Sequence, residues 1–92
     1  MIKTIKHKGL KLFYEKGDRS KLPADMIAKI IRIMTILDEA RDVEALDRPA
    51  LRLHKLTGNR KGEWSVTVRA NWRIVFSFTN GNVYDLDFVD YH

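Results

Sequence analysis

Residues 62–78 read GEWSVTVRANWRIVFSF, and the alternation in this stretch decides the fold. Trp64, Val66 and Val68 alternate with Ser65, Thr67 and Arg69. After a short turn, Trp72, Ile74, Phe76 and Phe78 alternate with Arg73, Val75 and Ser77. Successive side chains on a strand point to opposite faces, so the stretch reads as a β-hairpin with one apolar and one more polar face. Register then decides which residues are neighbours. A two-residue loop at Ala70-Asn71 would set Val68 against Arg73 and mix charge into both faces. A three-residue loop, Ala70 to Trp72, pairs Arg69 with Arg73, Val68 with Ile74, Val66 with Phe76 and Trp64 with Phe78. Burial selects that second register, with Asn71 suited to a left-handed backbone in the loop. It sets two arginines opposite each other on the exposed face. Such a pair is unfavourable unless the two diverge into solvent or share an anion.

Working outward, Leu51 to Leu56 reads as a short strand, with Leu51, Leu53 and Lys55 on one face and Arg52, His54 and Leu56 on the other. TGNRK at 57–61 is a turn with two basic residues at its tip. Thr79-Asn80-Gly81-Asn82 is a second turn. For Tyr84, Leu86 and Phe88 to join the dry face, Phe78 must oppose Tyr84 across a three-residue loop with Gly81 left-handed. Asp85 and Asp87 share the other face and read as ion-pair partners of nearby cations.

Before the hairpin, Met1 to Lys6 reads as a short first strand and His7 to Gly17 as a helix stopped by glycine. Pro23 suits the first position of the next helix, which runs to about Ala40, with Asp25 at its positive end. Met26, Ile27, Ile30, Ile31, Met34 and Leu37 form its apolar stripe. Asp42 to Asp47 reads as one more helical turn, ended by Arg48-Pro49. The fold class is α+β, in the order β-α-α-β-β-β-β. An antiparallel sheet carries the N-terminal helices on one face, and residues 1–92 form a single domain.

The charge is unevenly placed. Net charge is +5, and all 17 lysines and arginines lie at or before Arg73. Residues 1–21 and residues 52–73 each carry a net +5, whereas only Asp85, Asp87 and Asp90 are charged beyond Arg73. A basic surface of this kind suits a polyanion, although it also serves solubility alone. With no cysteine, the chain has neither disulfides nor a thiolate metal site, as in a reducing compartment. Neither a signal peptide nor a membrane span is apparent.

No Gly-rich phosphate loop, metal-ligand cluster or nucleophile elbow is present, so neither metal nor cofactor is expected. His54, Asp90, Tyr91 and His92, with Arg69 and Arg73, form the set of chemical interest. Histidine titrates near neutral pH and suits general acid–base work. Arginines against a phosphate stabilise the extra charge of a pentavalent transition state. RNA supplies its own nucleophile, the 2′-hydroxyl, so a base, an acid and cations would suffice for cleavage. The carboxylate beside the His92 imidazole favours its cationic form, and hence a proton-donor role. Read plainly, His54 is a structural histidine and the terminal residues are a frayed tail.

Residues 5–17, IKHKGLKLFYEKG, residues 53–76, LHKLTGNRKGEWSVTVRANWRIVF, and the ending VDYH at 89–92 closely resemble the HigB-type toxins of bacterial toxin–antitoxin pairs, within the RelE/ParE superfamily. The resemblance runs nearly end to end. It implies a RelE/ParE-like fold and a cytoplasmic endoribonuclease that enters the ribosomal A site and cuts mRNA during translation. It implies a HigA-type antitoxin with a helix-turn-helix domain as partner, and operator DNA bound only through that complex. It ties His54, Asp90, Tyr91 and His92 to catalysis and Arg73 to the phosphate. Lys6, Lys8, Lys55, Arg60, Lys61 and Arg69 are the cations expected to contact RNA. Relatives often carry a basic residue where Thr57 sits, and the expectation is either that Lys55, Arg60 or Lys61 takes over its contact or that codon preference and rate differ. Two other classes fit the same basic chain. One is a ParE-like inhibitor of a protein target such as gyrase, which would not need the terminal DYH. The other is a non-catalytic nucleic-acid-binding module.

Overall fold

Val66 and Ile74 face each other at the centre of the sheet, both fully buried, and the rest of the chain is arranged around that pair. The structure is a computed structural model that describes residues 1–90. Two helices come first, α1 (Lys8–Lys16) and α2 (Ile27–Glu39). Four strands follow: β1 (His54–Lys55), β2 (Trp64–Arg69), β3 (Trp72–Thr79) and β4 (Asn82–Asp90). They form one antiparallel sheet in the order β1-β2-β3-β4, which is the expected α+β architecture. Ile30, Ile33, Met34 and Leu37 of α2 belong to the same buried cluster as Val66, Ile74, Phe76, Leu86 and Phe88 of the sheet. Burial of that apolar area is what holds helix to sheet.

The local signals act where the sequence puts them. The His7 ring caps α1, its Nδ1 accepting from the Leu10 amide at 3.2 Å. Gly17 closes the same helix at φ 71°, with its N–H donating to the Phe13 carbonyl. Asp42 caps a 3-10 turn at Val43–Leu46 by accepting from the Ala45 amide. α2 starts later than expected. Pro23 to Met26 form a separate turn, closed by Met26 N–H to Pro23 O at 3.0 Å, and the helix proper begins at Ile27.

The hairpin register differs from the expected one. Trp64 opposes Phe76, Val66 opposes Ile74 and Thr67 opposes Arg73, but Arg69 opposes Trp72. The loop is the two-residue Ala70-Asn71, and Ala70, not Asn71, takes the left-handed backbone, at φ 50°. A bulge at Val68 reconciles this short loop with a dry face. One extra residue on β2 restores the apolar pairing above it, so burial is satisfied without the longer loop.

A second bulge reorganises β4. Asn80 and Gly81 both take positive φ in a two-residue turn, so Phe78 opposes Val83 and Ser77 opposes Tyr84. Asp85, at φ 56°, is the extra residue, and the alternation restarts beyond it. Val83, Leu86 and Phe88 are therefore the buried residues of β4, and Tyr84 is not. Asp85 and Asp87 are held by hydrogen bonds rather than the expected ion pairs. Asp85 accepts weakly from the Thr4 hydroxyl at 3.4 Å, and Asp87 accepts from the Phe88 amide at 2.9 Å.

The first strand is reduced to two isolated parallel bridges to β4, Ile2 with Val83 and Ile5 with Leu86. The Asp85 bulge interrupts the ladder between them. Its freed amide is taken up by the Thr4 hydroxyl at 2.7 Å, so the exposed bulge keeps a partner for its donor. The strand expected at Leu51–Leu56 is likewise shortened to His54–Lys55, because Arg52 turns to φ 49° and leaves the extended region.

Candidate active site

Thr67 and Arg73 pair across β2 and β3, one residue along from the Val66–Ile74 core pair. Side chains alternate, so both leave the sheet on the face away from α2. Ser65 and Val75 lie on the same face, and both are buried, giving this side a dry floor. His54 opposes Ser65 from β1. Arg52, His54, Thr67 and Arg73 together line a shallow cleft of about 130 Å³.

Within the cleft, His54 is exposed, and its Nδ1 lies 3.2 Å from the Leu53 carbonyl oxygen. A carbonyl only accepts, so this bond places the proton of neutral imidazole on Nδ1 and leaves Nε2 with a free lone pair. That is the tautomer of a general base. Arg73 is half-buried and donates from Nη1 to the Ala70 carbonyl at 2.8 Å. The bond anchors one edge of the guanidinium, and the remaining N–H groups keep the fork geometry that matches a phosphate.

The structure thus brings His54 and Arg73 together and disperses the other expected cations. The Val68 bulge carries Arg69 to the helix side of the sheet, where it forms an ion pair with Asp25. The two arginines expected to face each other are therefore on opposite faces, and their repulsion is relieved. Lys55 follows His54 on its strand and so takes the other face, with its ammonium 5.5 Å from the centre of the Trp64 ring. Arg60 pairs with Glu63 at 3.6 Å, and Lys61 is exposed beside it. Lys6 is exposed where the N-terminal segment joins β4, and Lys8 is exposed at the start of α1, across the sheet from His54.

Asp90 is the last described residue and opposes Trp72, with Val89 opposite Arg73. The end of β4 therefore runs alongside Arg73. Tyr91 and His92 lie outside the described residues. Arg52 and Thr67 were not singled out as site residues by the sequence, although its alternation already set Arg52 on the face of His54. The positive φ that turns Arg52 into the cleft had no signal, since the position carries neither Gly nor Asn.

A family model described as "RelE-like toxin of type II toxin-antitoxin system HigB" matches residues 3–92. The chain is similar to Endoribonuclease HigB of Proteus vulgaris, with 50% identity over 92 residues, the whole of both chains. It is similar to Toxin HigB-1 of Vibrio cholerae, with 34% identity over 83 residues, 88% of this chain and 87% of that one. Among solved structures, a YafQ mutant from E. coli shares the fold with a TM-score of 0.64 at 22% identity, over 98% of this chain and 91% of that one. The YoeB–YefM complex from Staphylococcus aureus matches with a TM-score of 0.59 at 17% identity, over all of this chain and 95% of that one. With a family model spanning nearly every residue and a relative matched end to end, the chain belongs to the HigB-like family of RelE-like toxins of type II toxin–antitoxin systems.

Proposed function

We propose that this protein is a ribosome-dependent endoribonuclease that cuts mRNA in the A site during translation and arrests growth. The observation that carries this reading is the cleft where His54, with Nε2 free, and Arg73, anchored at Ala70, converge on a dry floor. His54 removes the proton of the 2′-hydroxyl, and the 2′-oxygen attacks the adjacent phosphorus. Arg73 stabilises the charge that develops on the non-bridging oxygens. The P–O5′ bond breaks, the 5′-oxygen leaves with a proton, and a 2′,3′-cyclic phosphate remains. The donor comes from the Asp90-Tyr91-His92 end, with His92 the first choice. Lys6, Lys8, Arg60 and Lys61 meet ribosomal RNA and mRNA phosphates outside the cleft, as does Arg69 when its exposed ion pair opens.

The partner is a HigA-type antitoxin with a helix-turn-helix domain, through which the pair reaches operator DNA, and the site of action is the cytoplasm. The Proteus vulgaris relative is named an endoribonuclease, and the Staphylococcus aureus neighbour was solved with YefM. Both support the reading. Primer extension on mRNA in a purified translation system tests it. Cuts inside codons are expected, appearing only with translating ribosomes. Intact message under active translation would sink the proposal.

A further inference from the structure

We infer that Arg52 is a phosphate-binding residue of this cleft, holding the RNA phosphodiester next to the scissile one. The inference rests on the nuclease reading above and adds a residue to it. Arg52 lines the cleft together with His54, Thr67 and Arg73, so among the described residues two of the four lining side chains are guanidiniums and none is a carboxylate. Arg52 is exposed and makes no hydrogen bond or ion pair with any described residue. Its charge is therefore not spent on the fold.

The backbone reinforces the point. Arg52 sits at φ 49°, a conformation unfavourable for most residues other than Gly and Asn. A turn that needed only this geometry would be served better by Gly or Asn. The residues around it are tied down: the Leu51 carbonyl accepts from the Thr67 amide at 2.7 Å, and His54 is paired with Ser65. The kink is thus held from both sides, and it delivers a cation to the rim of the cleft. Backbone held in this way beside reactive groups is a common mark of a functional position.

The ligand this chemistry takes is a run of at least two phosphodiesters. Arg73, anchored and half-buried, suits the scissile phosphate, where charge develops. Arg52, exposed and unanchored, suits its neighbour, where charge is constant through the reaction. An interaction equal in ground and transition states lowers KM and leaves kcat alone.

The test is Arg52→Gly, which removes the side chain and suits the backbone, beside Arg52→Lys. Cleavage of mRNA on translating ribosomes should show KM raised about tenfold or more in Arg52→Gly, with kcat little changed. Arg52→Lys should restore most of the loss, since a point charge still binds phosphate. In parallel, adenosine 3′,5′-bisphosphate is titrated into the wild-type protein, and the Arg52 Nε–H resonance is followed by NMR. A saturating shift that is absent for chloride is expected. If wild type cuts normally and Arg52→Gly matches it in KM, or loses only kcat, the assignment is overturned. If no RNA is cut by wild type but the bisphosphate still shifts Arg52, the phosphate site stands and the nuclease reading falls. No shift at Arg52 overturns the site itself.

Discussion

Arg69 opposes Trp72 across the β2–β3 ladder, and its guanidinium pairs with Asp25 on the helix side of the sheet. Both partners are well exposed, with side chains 61% and 62% accessible, so the pair adds only about 0–1 kcal/mol to stability. Arg73, one strand away on the other face, lines the cleft with His54. The two arginines should therefore behave differently. Arg73→Ala should abolish nearly all cleavage, by about a hundredfold or more, while the protein melts as a folded domain. Arg69→Ala should move the melting temperature little and weaken cleavage less than tenfold, mainly at low salt, with a shallower salt dependence than wild type. Equal losses in kcat from the two substitutions would show that the faces are not functionally separate.

The hairpin shows what the sequence could and could not disclose. Alternation revealed the strands, the dry face and the helix that covers it, because burial acts on every second residue. It did not reveal the bulges at Val68 and Asp85, because a bulge changes the count of residues between turns without changing their character. Each costs one residue of register, and each moves a charged side chain. Val68 sends Arg69 to the helix side, and Asp85 restarts the alternation of β4. His54 and Arg73 were legible as candidates through their chemistry, and the fold sets both in one cleft. Arg52 was not, since its place in the cleft depends on a left-handed backbone at a residue type that rarely adopts one.

Gly9 offers a test of packing at α1. A Cβ added there would lie 2.8 Å from the Lys21 carbonyl oxygen and 3.0 Å from His7 Cε1. Alanine is the better helix former by about 1 kcal/mol, which would favour Gly9→Ala in an open helix. Here the nearest neighbour is backbone, and the second is the ring that caps α1, so neither gives way cheaply. Gly9→Ala should therefore destabilise the protein, by about 1–3 kcal/mol in a denaturant titration. A neutral or stabilising result would mean that the 19–22 loop is free to shift.

Tyr14 provides a test that depends on pH. Its hydroxyl donates to Asp38 Oδ1 at 2.8 Å, and the same oxygen accepts from the Ile2 amide at 2.9 Å, tying the N-terminal segment to both helices. Partial burial, then the hydrogen bond to Asp38 and its negative charge, push the Tyr14 pKa from 10.0 up to about 12. A raised pKa means that the folded state favours the protonated phenol. Its contribution is therefore complete below pH 10.0 and is lost as pH rises through about 12. The stability advantage of wild type over Tyr14→Phe should be flat up to pH 10.0 and shrink above it. An advantage that widens with alkalinity would contradict the bond to Asp38.

β4 carries Asp90 to a position opposite Trp72, the neighbour of Arg73, and His92 is two residues further on. If His54 is the base, the remaining task is protonation of the leaving 5′-oxygen, and His92 is proposed to perform it. His92→Gln should slow cleavage of translated mRNA by about a hundredfold to ten-thousandfold while leaving the melting temperature nearly unchanged. Loss of activity alone would not separate an acid from a base or from a binding residue. A message carrying sulfur in place of the bridging 5′-oxygen at the scissile position does so. A thiolate leaves without a proton, so this substrate should restore most of the His92→Gln rate. It should restore little for His54→Gln, whose defect lies in activating the 2′-hydroxyl. Rescue of the His54 variant instead would exchange the two roles. Rescue of neither, with cleavage by His92→Gln undiminished on the normal message, would remove His92 from proton transfer and leave that step to Asp90 or Tyr91.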